Sequence, residues 1–191
     1  MRRGFKAEAR RLALEVRGEL GVDAHCPFDP YALAELYGVE VIRLSDLECD
    51  PAAKSYFLEQ QGAVLSGALV PVGSGTVILE NDGQSRVRRR STMSHEIAHV
   101  LLEHPFGVSL ADDRKCGLGG EYEEEADWLY GELLIPTDGA LRLARLDASD
   151  NDAADAFDVS LPVARWRMNH SGARRIVANS RKKMWAAGPR S

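Results

Sequence analysis

Two histidines four residues apart constrain this chain more than any other feature. They lie in Arg90-Ser91-Thr92-Met93-Ser94-His95-Glu96-Ile97-Ala98-His99-Val100-Leu101-Leu102-Glu103-His104, whose centre reads H-E-x-x-H. On an α-helix, residues i and i+4 stand on one face about one turn apart. Imidazoles so placed can share one tetrahedral Zn²⁺, and Glu96, beside the first, can reach a water activated there. Ile97, Val100 and Leu101 supply the apolar side of a helix that lies in a core. The pattern implies a zinc hydrolase. It also recurs by chance, so two ordinary helix histidines compete with that reading until a third ligand is found.

A catalytic zinc takes three protein ligands and keeps one position open. In H-E-x-x-H-x-x-G-x-x-H the last histidine would fall at position 105 and the glycine at 102. Those positions hold Pro105 and Leu102, and His104 is one residue short. An acidic third ligand is the alternative, and Glu121 to Pro136 offers it. Acidic residues crowd its first turn, which suits a helix N-terminus, and Pro136 closes it. Ala126, Leu129, Leu133 and Leu134 form its buried side. Glu123 and Asp127 share a face, an unfavourable pairing unless a cation and an imidazole lie opposite. Glu123 is therefore assigned as third ligand. Asp127 is assigned to the free ring N–H of a ligating histidine, fixing its tautomer. Glu124 is the rival to Glu123, since a small change of helix phase exchanges them. Glu121, Glu124 and Glu125 otherwise read as a solvated helix start.

With both segments in hand, the sequence resembles the ImmA/IrrE family of metallo-endopeptidases. The likeness is carried by Ser94 to Leu102 and by Glu123-x-Glu125-Ala126-Asp127-Trp128-Leu129-x-Gly131-x-Leu133-Leu134-Ile135-Pro136, close to E-x-E-A-N/D-x-F-A-x-x-L-L-M-P. Trp128-Leu129, Gly131 and Ile135 depart from that pattern and read as packing changes. The resemblance extends to PYALAELYGVEV and DVSLPVARWRMNHSGARR. It implies a cytoplasmic zinc protease whose substrate is a protein, in particular a helix-turn-helix repressor. The fold expected is α+β with a zincin-like core. A small mixed or antiparallel sheet would pack on the H-E-x-x-H helix and a second, ligand-bearing helix. Residues 1–137 would form this core and 138–191 a helical extension with a basic tail.

The 191 residues are 45% hydrophobic and carry a formal charge of −5, so no global basic field points to nucleic acid. Three cysteines, Cys26, Cys49 and Cys116, form no C-x-x-C and suit a reducing compartment. No apolar run reaches membrane-spanning length.

Phe5 to Leu20 has helical periodicity, and Gly21 ends it. Asp29, Pro30 and Gly38 punctuate a short helix whose Leu33, Leu36 and Tyr37 are expected in the core. Val39 to Leu44 reads as a strand, Ser55 to Leu58 as another candidate. Ala63 to Val72 and Thr76 to Asn81 form a hairpin around Val72-Gly73-Ser74-Gly75. The metal-binding helix should begin near Ser85, and Arg86, Arg88, Arg89 and Arg90 in its first turns call for acidic neighbours. Cys116, in the glycine-rich linker from Pro105 to Gly120, is a conceivable inhibitory fourth ligand.

Helices are expected over Asp138 to Leu146, Asp150 to Phe157 and, capped by Ser160, to Met168. Phe157 to Arg167 resembles half of a helix-turn-helix. Two readings follow: a DNA or repressor contact through Arg165, Arg167 and the basic tail, or a cap whose Trp166 packs on the catalytic core. The second is favoured, because no complete bihelical DNA reader is visible.

In the expected reaction Glu96 serves as general base and then acid. Tyr130 and His104 are candidate oxyanion donors, and Gly67-Ala68-Leu69 a candidate edge for substrate. The competing function is a non-catalytic metal-binding transcriptional regulator whose carboxy-terminal helices bind DNA or a partner.

Overall fold

The computed structural model describes residues 1–60, 65–73, 75–105 and 120–186. Helix α1 spans Phe5–Glu19 and buries Phe5, Ala9, Ala13 and Val16. Arg17 is also fully buried on that face, donating to the carbonyls of Leu133 at 2.6 Å, Asp23 at 2.7 Å and Cys26. Helix α2, Pro30–Leu36, starts as its residues dictate, with the Asp29 carboxylate accepting from Tyr31 N–H at 3.0 Å. Leu33 is buried, but Leu36 and Tyr37 are exposed, against expectation. In seven residues only the face of Leu33 and Ala34 reaches the core.

A second correction concerns Ser55 to Leu58, which is helical. Helix α3, Pro51–Ser55, continues into a π-helical turn over Tyr56–Gln60. Asp50 caps it, accepting from Ala52 and Ala53 at 2.8 and 3.1 Å. A capped Asp-Pro start outweighs the β propensity of the aromatic pair that follows.

Strands β1 (Glu40–Arg43), β2 (Gly67–Val72) and β3 (Gly75–Glu80) form a mixed sheet in the order β1-β3-β2. β1 runs parallel to β3, and β2 antiparallel, with Val72 opposite Gly75 as the hairpin requires. Ala63, Val64 and Ser74 lie outside the described residues. Among the described residues β2 is an edge strand of this sheet, and helix α4 (Arg86–Leu101) packs on β2 and β3. Three of the arginines of its first turns find acids, Arg89 pairing with Glu80 at 2.6 Å and Arg86 and Arg90 with Asp158, whereas Arg88 donates to Ser66 Oγ at 3.0 Å.

Helix α5 (Gly120–Leu134) packs against α4 on one side and α1 on the other. Four helices follow: α6 (Thr137–Arg145), α7 (Asp150–Phe157), α8 (Leu161–His170) and α9 (Ala173–Ala186). They share the apolar core with the preceding segments, through Ala140, Phe157, Ala164, Met168, Ala173 and Val177. The basic residues of the carboxy-terminal segment lie on helix α9. Two of them fold back onto aspartates, Arg174 onto Asp150 at 2.7 Å and Arg181 onto Asp147 at 2.6 Å. Arg167, expected at a DNA or repressor contact, is fully buried against Glu132. Trp166 stacks on Tyr130, ring centroids 5.6 Å apart and planes 9° from parallel. No helix among the described residues is long and apolar enough to cross a membrane.

Candidate metal centre

α4 and α5 lie side by side and bring three donors together. His95 and His99 project from α4 and Glu123 from the first turn of α5; their donor atoms all lie within 4.8 Å of one another. The two Nε2 atoms are 3.1 Å apart. Glu123 places one oxygen 3.3 Å from His95 Nε2 and the other 3.6 Å from His99 Nε2. Zinc bonds of roughly 2.0–2.1 Å in a tetrahedron set donors about 3.3 Å apart. The observed spacing fits a single ion of that size.

The electrostatics fit as well. Glu123 Oε1 is buried and accepts no hydrogen bond among the described residues. Such an oxygen costs about 1–3 kcal/mol unless something cationic satisfies it. Burial opposes the Glu123 charge, yet the hydrogen bond to His95 and the neighbouring imidazoles outweigh it and hold the carboxyl below its ordinary range. His99, fully buried, is pushed down to about 4, first by desolvation and then by His95. At neutral pH His99 is an uncharged imidazole with a lone pair to give.

Glu96 follows His95 on α4 and is 3% exposed. Its stem runs beside Gly67 of β2: a Cβ at Gly67 would lie 3.9 Å from Glu96 Cγ and only 2.6 Å from Thr92 Cγ2. The missing side chain lets the edge strand approach the face of α4 that carries Glu96.

Asp127 lies one turn after Glu123, its carboxylate 3.3 Å from His95 Nδ1 and its side chain 57% exposed. The rival ligand Glu124 faces away, 2.9 Å from the amino terminus of Met1. Glu125, expected to be solvated, is buried instead: Arg2 donates to it from its backbone N–H at 2.9 Å and its Nε at 3.0 Å.

His104 corrects a second expectation. It lies behind His99, with the two Nδ1 atoms 2.8 Å apart, so it cannot face an oxyanion in front of the cluster. Beyond α4 the chain reverses through Glu103 at φ 51°, with Glu103 N–H donating to Val100 and His104 N–H to His99 at 3.1 Å. This left-handed closure returns His104 onto the helix it has just left. Tyr130 stands at the other end of the site, its ring 5.7 Å from that of His95. Cys116 lies outside the described residues.

A family model for the IrrE N-terminal-like domain of peptidase family M78 matches residues 34–169, more than half of the chain. The chain belongs to that family. The match takes in both helices of the cluster and runs on to α8, so the ImmA/IrrE resemblance holds and the function is of the metallopeptidase type. No curated protein and no solved structure matches.

Proposed function

We propose that this M78 protein is a zinc-dependent endopeptidase with a zincin-like core. It would hydrolyse a peptide bond in a specific cytoplasmic protein, a helix-turn-helix repressor being the class the family resemblance implies. The observation that carries this reading is the spacing of His95, His99 and Glu123, with a buried carboxylate, Glu96, on the same helix as the two imidazoles.

A bound zinc ion would supply Lewis acidity, polarising the scissile carbonyl and lowering the pKa of water to about 7. His95 and His99 would hold it through Nε2 lone pairs, and Glu123 through its carboxylate. Glu96 takes the proton of the attacking water and hands it to the leaving nitrogen. The outer edge of β2, paired among the described residues with β3 on one side only, receives the substrate backbone next to Glu96. Tyr130, beside His95, is the phenolic donor for the oxyanion. The regulator reading has less to draw on, because Arg165, Arg174 and Arg181 pair with aspartates and Arg167 is buried.

Glu96→Gln should keep the metal, read by elemental analysis, while cleavage of a helix-turn-helix repressor substrate falls by about 10²–10⁴. His95→Ala and His99→Ala should lose both. A Glu96→Gln variant as active as the parent removes the mechanism.

A further inference from the structure

The histidine behind the cluster is not an oxyanion donor, but its contacts define another task. His104 is buried, its ring packed on that of Tyr122 with centroids 4.8 Å apart. Its Nδ1 meets His99 Nδ1 at 2.8 Å, and its Nε2 lies 3.8 Å from a Glu125 oxygen. Glu125 is held in turn by Arg2 through backbone and side chain.

A neutral imidazole carries one N–H and one bare nitrogen. Of two Nδ1 atoms in hydrogen-bond contact, one donates and the other accepts. Suppose His104 donated. Its bare Nε2 would then face the buried Glu125 carboxylate, and His99 would carry its proton on Nε2, pointing into Glu123 and His95. The first sets a lone pair against a carboxylate, and the second puts a proton where a metal ion would have to bind. In the opposite assignment His104 turns Nε2–H toward Glu125 and accepts from His99 Nδ1–H. His99 Nε2 is then a lone pair aimed at the cluster.

We infer that His104, with Glu125 and Arg2 behind it, is a positioning residue that fixes His99 in the tautomer able to bind a metal through Nε2. The inference rests on the metal-site reading above and extends it to the amino-terminal segment, since Arg2 closes the chain of contacts. Histidine ligands depend on such partners, whose loss costs roughly 10–100-fold in metal affinity.

Two variants of the full chain separate positioning from packing. His104→Phe keeps a ring against Tyr122 and removes the acceptor. His104→Gln replaces the ring by a chain that still offers a carbonyl oxygen to His99 Nδ1–H. Zinc dissociation constants come from competition with a chelator, thermal unfolding of the metal-free proteins checks the fold, and ¹⁵N shifts of the His99 ring report its tautomer. His104→Phe should bind zinc about 10–100-fold more weakly and lose the Nδ1–H preference, whereas His104→Gln returns within about threefold of the parent. Equal affinity and tautomer in His104→Phe and the parent overturn the inference, as does a folded His104→Gln no better than His104→Phe. If His104→Phe does not fold, His104→Gln alone decides by the same measures. A parent that binds no divalent ion overturns the metal-site reading instead. The His99 tautomer in the metal-free proteins then decides: Nδ1–H in the parent and lost in His104→Phe supports the inference, no difference overturns it.

Discussion

His95 and His99 leave one helix a single turn apart, yet they are held in different ways. His95 is partly exposed and backed by Asp127, itself 57% exposed, with the Tyr130 ring edge-on beside it. His99 is fully buried and backed by two further buried groups, His104 and Glu125, with the exposed Arg2 at the outer end. A contact open to water contributes about 0–1 kcal/mol, whereas leaving a buried polar group without its partner costs about 1–3 kcal/mol. The cluster thus has a fixed wall behind His99 and an adjustable one behind His95. An active site needs both, since substrate must enter on one side without disturbing the ligands on the other.

The order on the His95 side comes from a deeper layer. Tyr130 stacks on Trp166, and Trp166 sits over Gly131, where a Cβ would lie 2.5 Å from the indole. α8 is pinned there by the buried pair of Arg167 and Glu132, with Arg167 also donating to Ile135 O at 2.8 Å and Thr137 Oγ1 at 3.0 Å. Arg167→Met would strand the Glu132 charge and should cost about 3–5 kcal/mol in urea unfolding. Adding Glu132→Leu should return most of it. A loss below about 1 kcal/mol for Arg167→Met would mean that α8 is anchored by apolar packing alone.

Acid should find the His99 side first. A histidine in the unfolded chain titrates near 6.5, and His99 in the folded metal-free protein near 4, because burial and His95 disfavour its charge. Burial lowers His104 too, against the pull of Glu125. Below about pH 6.5 the unfolded state therefore takes up protons that the folded state refuses, and stability falls until about pH 4. For His99 the loss is at most on the order of 3 kcal/mol. Urea midpoints of the metal-free protein from pH 7.5 to 4 should show this decline, and His99→Asn should flatten it. A midpoint that stays level through pH 5 would place His99 in water.

How far the sequence could reveal this contrast depended on the range of each interaction. α4, α5, the Asp29 cap and the hairpin are encoded by neighbouring residues and are legible as such. So are His95, His99, Glu123 and Asp127, since i,i+4 spacing fixes which side chains share a face. His104 escapes that logic. Five residues after His99, a continued helix would carry it about 140° away from His99, and only the left-handed turn at Glu103 brings it back. Glu125 looks solvated because its partner, Arg2, lies 123 residues away in sequence. α9 looks like a tail because the acids that neutralise it belong to α7 and the turn before it. Its Ala173 and Val177, four residues apart and buried, were the available signal. At Ser55 to Leu58 the signal was present too, in Asp50-Pro51, and composition obscured it.

The turn that delivers His104 has a cost. Glu103 is exposed and adopts φ 51°, where a side chain is disfavoured by about 1–2 kcal/mol and glycine is usual. Glycine gains more freedom in the unfolded chain, about 0.5–1 kcal/mol, so part of the gain cancels. Glu103→Gly should raise stability by up to about 1 kcal/mol and leave zinc affinity unchanged, provided His104 keeps its place. Weaker zinc binding in a more stable protein would show that Glu103 restrains His104 beyond setting the turn.

The adjustable wall makes the smallest demand, and there the two sides can be compared most directly. Asp127→Asn keeps an oxygen that can accept from His95 Nδ1–H and removes only a charge that water already screens. Chelator competition should therefore register a change in zinc affinity of less than about threefold, against tenfold or more for His104→Phe. Should Asp127→Asn weaken binding as much as His104→Phe, exposure would have no bearing on how firmly a ligand is held. The charge of Asp127, acting across 3.3 Å, would then be as necessary to His95 as the buried chain is to His99.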